Sequence, residues 1–149
     1  MITATRYHDF SCGHRVYGHE SKCAHLHGHN YRVHFTVAGT LDRVGRVLDF
    51  SAIKDRLCTW VEERWDHRFL IWEHDPWARA LQLLNPQGVV VVRWNPTAEN
   101  MAVALMGLGP ELLEGTGVRL VRVTVEETRK CSATAGGDEY GLAPTHTDQ

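Results

Sequence analysis

Long apolar stretches are absent from this sequence, and the apolar runs that it does contain are short, as at Val89–Val92. A helix needs about 20 consecutive apolar residues to span a bilayer, so we expect no membrane segment. An excess of charge of one sign is also missing, because 16 basic and 18 acidic residues leave a net charge of −2. That balance argues against nucleic acid or an anionic membrane surface as a partner.

Cysteine is scarce and follows no disulfide pattern. The four cysteines are Cys12, Cys23, Cys58 and Cys131, and no two of them form a C-x-x-C pair. Residues 1–6 lack the apolar run of a signal peptide, so a reducing cytoplasm is the expected compartment. A Gly-rich phosphate loop and a dinucleotide fingerprint are missing too, which leaves no sign of a nucleotide cofactor.

The periodicity of apolar residues predicts a mixture of strands and helices. Alternation with a period of two predicts long strands over residues 3–15, 27–38 and 117–128. Four consecutive valines predict a further short, buried strand over residues 89–94.

Two helices and a single domain complete this picture. Helical spacing of apolar residues follows an N-cap at Asp49 or Ser51, and again follows Thr97. A chain of 149 residues with 43% hydrophobic content suits one globular core. We therefore expect one domain over residues 1–131 and a polar C-terminal tail over residues 132–149.

Histidine is abundant, with ten in the chain, and two of them flank a glycine in the triplet His27-Gly28-His29. Side chains at i and i+2 of a strand share a face, whereas on a helix they would lie about 200° apart. His14 lies on the matching face of the preceding strand, in phase with Cys12. Three inward imidazoles indicate a zinc site with one open position, although a single inward histidine is more often a hydrogen-bonded core residue.

Cys23 lies four residues before His27, and this spacing leaves three roles open. A thiol close to a bound cation ionises more easily and could act as a base or nucleophile. It could equally be a fourth metal ligand, which would close the site and make it structural. The third alternative is an inert, small, buried residue. His25 is a second-choice ligand, because its direction depends on where the strand begins.

Acidic residues stand out at the ends of two predicted elements. Glu127 continues the face of Val123 and Val125, so it should point inward, where a carboxylate is costly unless it is paired. It could accept two N–H bonds from the edge of a heterocycle, or the strand could fray and leave it in solvent. Asp66 and His67 end the first helix, where they form either a cap or a proton-handling pair.

Six short motifs occur in the order found in a known family. They are Phe10-x3-His14, Cys23-x3-His27-Gly28-His29-Asn30-Tyr31, Val47-Leu48-Asp49-Phe50, Asp66-His67-Arg68-Phe69-Leu70, Asn95-Pro96-Thr97-Ala98-Glu99-Asn100 and Val125-Glu126-Glu127-Thr128. Each motif is weak alone, but together they are specific and extend roughly over residues 6–130. The chain therefore resembles the 6-pyruvoyltetrahydropterin synthase family of the tunnelling fold.

This resemblance implies an α+β fold in which an antiparallel four-stranded sheet carries two helices on one face. In the family such sheets join side by side into a barrel. Two trimers stack into a homo-hexamer, with active sites at the subunit interfaces. An exposed sheet edge is a pairing hazard for a monomer, which makes such assembly physically reasonable.

The resemblance also implies a role for each candidate residue. Zinc is the implied cofactor, and its ligands would be His14, His27 and His29. The implied catalytic residues are the thiol of Cys23, its proton-transfer partner His67, and Asp66, which orients that histidine. The implied contacts to the pterin are Glu127 and Thr128, at its amino-pyrimidine edge, and Thr97 and Glu99, at a helix start. For Thr97 a pure N-cap role is an equal alternative.

The gap of three residues between Cys23 and His27 resembles that of the bacterial 6-carboxytetrahydropterin synthases of queuosine biosynthesis. The implied reaction converts 7,8-dihydroneopterin triphosphate to 6-carboxy-5,6,7,8-tetrahydropterin, with release of triphosphate and acetaldehyde. Two alternatives stay open: a 6-pyruvoyltetrahydropterin synthase, which does not cleave the side chain, and a non-catalytic pterin-binding zinc protein. The candidate triphosphate contacts, which are otherwise plain solvated charges, are Arg15, Lys22, Arg129 and Lys130.

Overall fold

The computed structural model describes residues 1–136 and begins with two long strands, β1 (Ile2–His14) and β2 (His27–Gly39). A 3₁₀ turn at Lys22–Ala24 lies in the loop between them. A helical stretch follows, composed of α1 (Phe50–Ile53), a π-helical segment (Lys54–Cys58) and α2 (Thr59–Arg64). The later elements are β3 (Arg68–Trp72), α3 (Ala78–Leu84), β4 (Val89–Val92), α4 (Ala98–Gly107), α5 (Gly109–Leu112), β5 (Arg119–Glu126) and β6 (Ser132–Gly136).

The N-caps of α1 and α4 lie where the sequence predicts them. Asp49 accepts a hydrogen bond from the Ser51 amide, and Thr97 accepts one from the Asn100 amide. Each side chain satisfies an amide that the first helical turn leaves without a partner. Among the helices described here, none combines the length and apolar character needed to cross a membrane.

The sheet is mixed and has six strands in the order β4-β3-β1-β2-β5-β6. β1, β2, β5 and β6 pair antiparallel, whereas β3 runs parallel to both β1 and β4. The α+β class is confirmed, but the expected four-stranded antiparallel sheet is wrong, because β3 and β4 extend it in parallel. Short continuous apolar runs such as Val89–Val92 carry no alternation that would reveal their pairing partner.

The ordered sheet continues past residue 131, where the tail was expected to begin. β6 pairs with β5 from Ser132, opposite Glu126, to Gly136, opposite Arg122. The small and polar residues of β6 resemble loop sequence, so the alternation rule does not detect the strand. The remainder of the expected tail, residues 137–149, lies outside the described residues.

One face of the sheet carries the hydrophobic core. Phe35 of β2 and Val123 of β5 are fully buried there, and they belong to one cluster with Ile53 of α1 and Met101 of α4. His14, at the end of β1, is only 1% exposed on this same face. Strand β1 therefore places His14 at the edge of the apolar core.

The pairing of β1 with β2 positions the residues of the candidate site. His14 lies opposite His27, and His29 returns to the same face two residues further along β2. At this end of β1 the neighbouring strand β3 approaches closely. A β-carbon on Gly13 would lie 2.6 Å from the ring of Phe69, so glycine is the residue that permits this approach.

Candidate metal centre and active site

Three histidines from β1 and β2 converge on the core face of the sheet. One ring nitrogen from each of His14, His27 and His29 lies within 4.8 Å of the other two. The Nε2 atoms of His14 and His27 are 3.0 Å apart.

Backbone carbonyls set the tautomers of two of the three rings. Nδ1 of His14 lies 2.6 Å from the Pro96 carbonyl oxygen, and Nδ1 of His27 lies 2.7 Å from that of His25. A carbonyl oxygen only accepts, so each Nδ1 carries the proton and each Nε2 of a neutral ring keeps a lone pair. The two facing lone pairs repel unless a proton or a cation lies between them. Metal-binding histidines are typically oriented in this way, by a hydrogen bond at the second nitrogen.

The third ring, His29, fits a metal for a different reason. Its Nε2 is buried and has no hydrogen-bond partner among the described residues. Such an atom is costly to bury, and a cation would satisfy it. Burial also lowers the pKa of both His14 and His29, which favours the neutral rings that bind metal. Zinc suits a set of three imidazole nitrogens, so the residues present fit the implied cofactor.

Glu127, just beyond the end of β5, faces the histidines. Its Oε1 is 3.5 Å from Nε2 of His14 and 3.7 Å from Nε2 of His29. The side chain is 26% exposed, so it is neither sealed in the core nor frayed into solvent. The carboxylate therefore stands beside the metal position with part of its surface open to a bound molecule.

A cleft of about 270 Å³ opens beside Glu127. The candidate site residues that line it are Cys23, Thr97, Glu99 and Glu127. Cys23 is half-buried, and its sulfur is not part of the group of ligand atoms that lie within 4.8 Å of one another. The side chain of Cys23 lines space that a small molecule could occupy.

Asp66 and His67 line a different cavity, of about 610 Å³, together with Thr128 and Arg32. Arg32 belongs to the outward-facing set of β2, so this cavity opens on the face of the sheet opposite the core. The structure therefore brings Cys23, Thr97, Glu99 and Glu127 into one cleft and places Asp66, His67 and Thr128 elsewhere. Among the cavities formed by residues 1–136, His67 lines this one and Cys23 lines the cleft beside Glu127.

The Asp66–His67 pair has a constrained geometry. His67 has a φ of +57°, a left-handed conformation that is uncommon outside glycine, and its amide donates to the Ser11 carbonyl at 2.7 Å. Burial raises the pKa of Asp66, but hydrogen bonds from the Ser11 amide and His67 outweigh burial and hold this pKa below its usual value. The ionised carboxylate, 2.7 Å from Nδ1 of His67, keeps a proton on that nitrogen and leaves Nε2 for proton transfer.

Sequence reasoning missed two buried polar features near the metal position. Arg15, considered above as a solvated charge, is 6% exposed and donates to Asp75, which is 4% exposed. No local pattern connects residues that lie 60 positions apart. Tyr31 packs edge-on against His14 and His29, and its buried hydroxyl has no partner among the described residues. Burial raises the pKa of Tyr31, so the phenol stays protonated.

Replacing His29 with glutamine tests the metal centre. Loss of one of three imidazole ligands should weaken zinc binding by more than the roughly 10- to 100-fold that loss of an outer partner costs. His34→Gln is the matched control, because His34 lies on the outward face of the same strand, where it contacts Glu126. Zinc per chain, measured by atomic emission after dialysis against a chelator, should fall for His29→Gln alone. Equal retention by both variants would contradict the three-histidine site.

Known proteins share both the sequence and the fold of this chain. Residues 3–138 match the family described as 6-pyruvoyl tetrahydropterin synthase. The chain is 37% identical over 134 residues to the 6-carboxy-5,6,7,8-tetrahydropterin synthase of Rickettsia bellii, with 88% of this chain and 97% of that protein covered.

Two solved structures extend the likeness to three dimensions. An uncharacterized protein from Wolinella succinogenes has a TM-score of 0.80 at 26% identity, with 92% of this chain and 98% of that chain covered. The 6-pyruvoyl tetrahydropterin synthase of Caenorhabditis elegans has a TM-score of 0.67 at 25% identity, with 92% and 96% covered. Motifs, fold and these matches agree, and this chain belongs to the 6-pyruvoyl tetrahydropterin synthase family.

Proposed function

We propose that this chain converts 7,8-dihydroneopterin triphosphate and water to 6-carboxy-5,6,7,8-tetrahydropterin, triphosphate and acetaldehyde in a zinc-dependent lyase reaction. The step belongs to queuosine (7-deazaguanine) biosynthesis, and the free cysteines of the described residues suit a reducing cytoplasm. The observation that carries the proposal is the cleft in which Cys23 and Glu127 lie together, with Glu127 in turn beside the histidines. The name of the Rickettsia bellii relative points to the same product.

Glu127 would recognise the pterin ring. An amino-pyrimidine edge presents adjacent N–H donors, and a carboxylate can accept two such bonds side by side. Thr97 and Glu99 line the same cleft at the start of α4. The Thr97 hydroxyl accepts the Asn100 amide but can still donate to a ligand, so its capping and binding roles are compatible.

Cys23 is the proposed base of the reaction. Zinc, when bound, would hold and polarise the side-chain hydroxyls of the substrate as a Lewis acid. The thiolate of Cys23 removes a proton from the substrate side chain. His67, oriented by Asp66, exchanges protons with the opposite side of the substrate. The side chain thereby rearranges internally before triphosphate leaves. Water then supplies the second carboxyl oxygen as the carbon–carbon bond breaks and acetaldehyde departs, so no redox cofactor is needed.

We propose further that the site is completed between copies of the chain. Cys23 and His67 line separate cavities within one chain, so a neighbour would have to supply Asp66, His67 and Thr128 to each cleft. In the described sheet, β4 and β6 are the outer strands, and exposed strand edges favour association. The proposed assembly is a homo-hexamer, a dimer of trimers, in which the sheets join into a barrel.

Product analysis tests the proposed reaction. Zinc-loaded protein incubated with 7,8-dihydroneopterin triphosphate should release 6-carboxy-5,6,7,8-tetrahydropterin and acetaldehyde, both identified by mass spectrometry. Cys23→Ala should keep its zinc and lose about 10²- to 10⁴-fold in turnover, the range typical of a general base.

Other outcomes of the same assay support other functions. A 6-pyruvoyl product would contradict the carboxy assignment and favour the pyruvoyl activity. Zinc-loaded protein that binds the pterin and leaves it unchanged would favour a non-catalytic binding protein. Loss of zinc together with unfolding in Cys23→Ala would favour a structural zinc site in which Cys23 is the fourth ligand.

Mixing two inactive variants tests whether the site is shared between copies. Cys23→Ala retains His67, and His67→Ala retains Cys23, so hybrid assemblies contain some complete sites. Random reassembly of equal amounts should recover about a quarter of the wild-type activity, since each shared site draws its two residues independently. Light scattering on the same samples should report a hexamer. If verified hybrids are no more active than the separate variants, both residues act within one chain.

A further inference from the structure

Arg15 directly follows the metal ligand His14, and its guanidinium is buried against a carboxylate and an aromatic ring. Nε donates to Oδ2 of Asp75 at 2.5 Å, and Nη2 donates to Oδ1 at 2.9 Å. The guanidinium carbon lies 3.5 Å from the ring centroid of Trp77, and the Trp77 amide donates to the same Asp75 carboxylate at 2.9 Å. The carboxylate and the aromatic ring together fix the plane of the guanidinium.

A third donor of Arg15 reaches the turn that carries Cys23. Nη1 donates to the carbonyl oxygen of Ala24 at 3.1 Å. The next residue, Val16, donates its amide to the carbonyl oxygen of Cys23 at 2.9 Å. Two consecutive residues after His14 therefore hold the carbonyls of two consecutive residues in the 3₁₀ turn. Two hydrogen bonds therefore join the segment that follows His14 to the turn that carries the Cys23 thiol.

Stability alone does not account for this buried ion pair. Desolvation of a guanidinium and a carboxylate commonly offsets their attraction, and apolar replacements of such pairs are often neutral or stabilising. Lysine could preserve the charge, but only the planar fork of arginine donates to a carboxylate and a carbonyl along fixed directions. The contacts of Arg15 therefore specify a position for the turn.

We propose that Arg15, anchored by Asp75, is the positioning residue that holds Cys23 in the cleft. This inference rests on the proposed function, in which the Cys23 thiol is the base. The Asp75–Arg15–Ala24 clamp ties the 3₁₀ turn to the end of β1, so that the thiol stays beside the position of the substrate. Arg15 is thereby excluded as a triphosphate contact, because its side chain is buried against Asp75 and Trp77.

Arg15→Lys tests the clamp in the zinc-loaded protein. We expect kcat to fall about 10- to 10²-fold, as small misplacements of a reacting group do, with zinc content unchanged and KM within about twofold. Alkylation of Cys23 by iodoacetamide, followed by peptide mass spectrometry, should accelerate about threefold or more because the loosened turn exposes the thiol. Free N-acetylcysteine in the same mixture serves as the rate reference, because Cys131 lines the same cleft as Cys23.

Two further variants make the test specific. Asp75→Asn keeps the shape of the anchor and removes its charge, so it should shift kcat and Cys23 alkylation in the same direction. The double variant Arg15→Lys/Asp75→Asn should change kcat and Cys23 alkylation little more than either single variant, because both changes act on one contact network. Arg46→Lys is the matched control, since Arg46 is likewise paired with carboxylates, those of Asp42 and Asp49, but on an exposed surface.

The outcomes separate the clamp from the proposed function. Unchanged kcat and unchanged Cys23 alkylation in both Arg15→Lys and Asp75→Asn would overturn the clamp. It would also be overturned if the loss of activity merely paralleled a loss of zinc or of folded protein. The alkylation rates need no turnover. If the wild-type protein proves inactive on the pterin, the proposed function fails, and those rates still decide whether Arg15 holds the turn.

Discussion

The antiparallel pairing of β1 with β2 is the constraint on which the rest of the site depends. It places His14 opposite His27 and returns His29 to the same face two residues later. A slip of one residue would move every side chain of a strand to the other face. The register that buries Tyr31 and Phe35 is therefore also the register that assembles the metal ligands, so the core and the metal centre form together.

Burial favours the neutral, metal-binding form of the histidines, but it destabilises the protein when no cation is bound. It keeps His14 and His29 neutral, while the carbonyls of Pro96 and His25 direct lone pairs toward one point. Facing lone pairs and the unpartnered Nε2 of His29 are unfavourable unless a cation satisfies them. Metal binding and the stability of this end of the sheet are therefore coupled. Glu127 lies beside two of the three histidines that would hold the ion.

Local patterns reveal part of this site, and long-range packing decides the remainder. Alternation along two strands is enough to predict that His14 and His29 share a face, because that pattern depends only on neighbours in sequence. The same rule cannot detect the contact between Arg15 and Asp75, which exists only once distant segments have packed. The position of His67 beside Asp66 at a helix end marks it as a proton-handling candidate. The face of the sheet on which its cavity opens is set only when the whole sheet has formed.

X-ray absorption at the zinc edge of the zinc-loaded protein tests the central claim most directly. That claim is an open centre with three imidazole ligands, beside which Cys23 remains a free thiol. We expect a first shell of nitrogen and oxygen at about 2.0–2.1 Å, with imidazole scattering from three rings and no sulfur. A sulfur shell at about 2.3 Å would contradict it, because Cys23 would then be a ligand and the centre would be closed and structural.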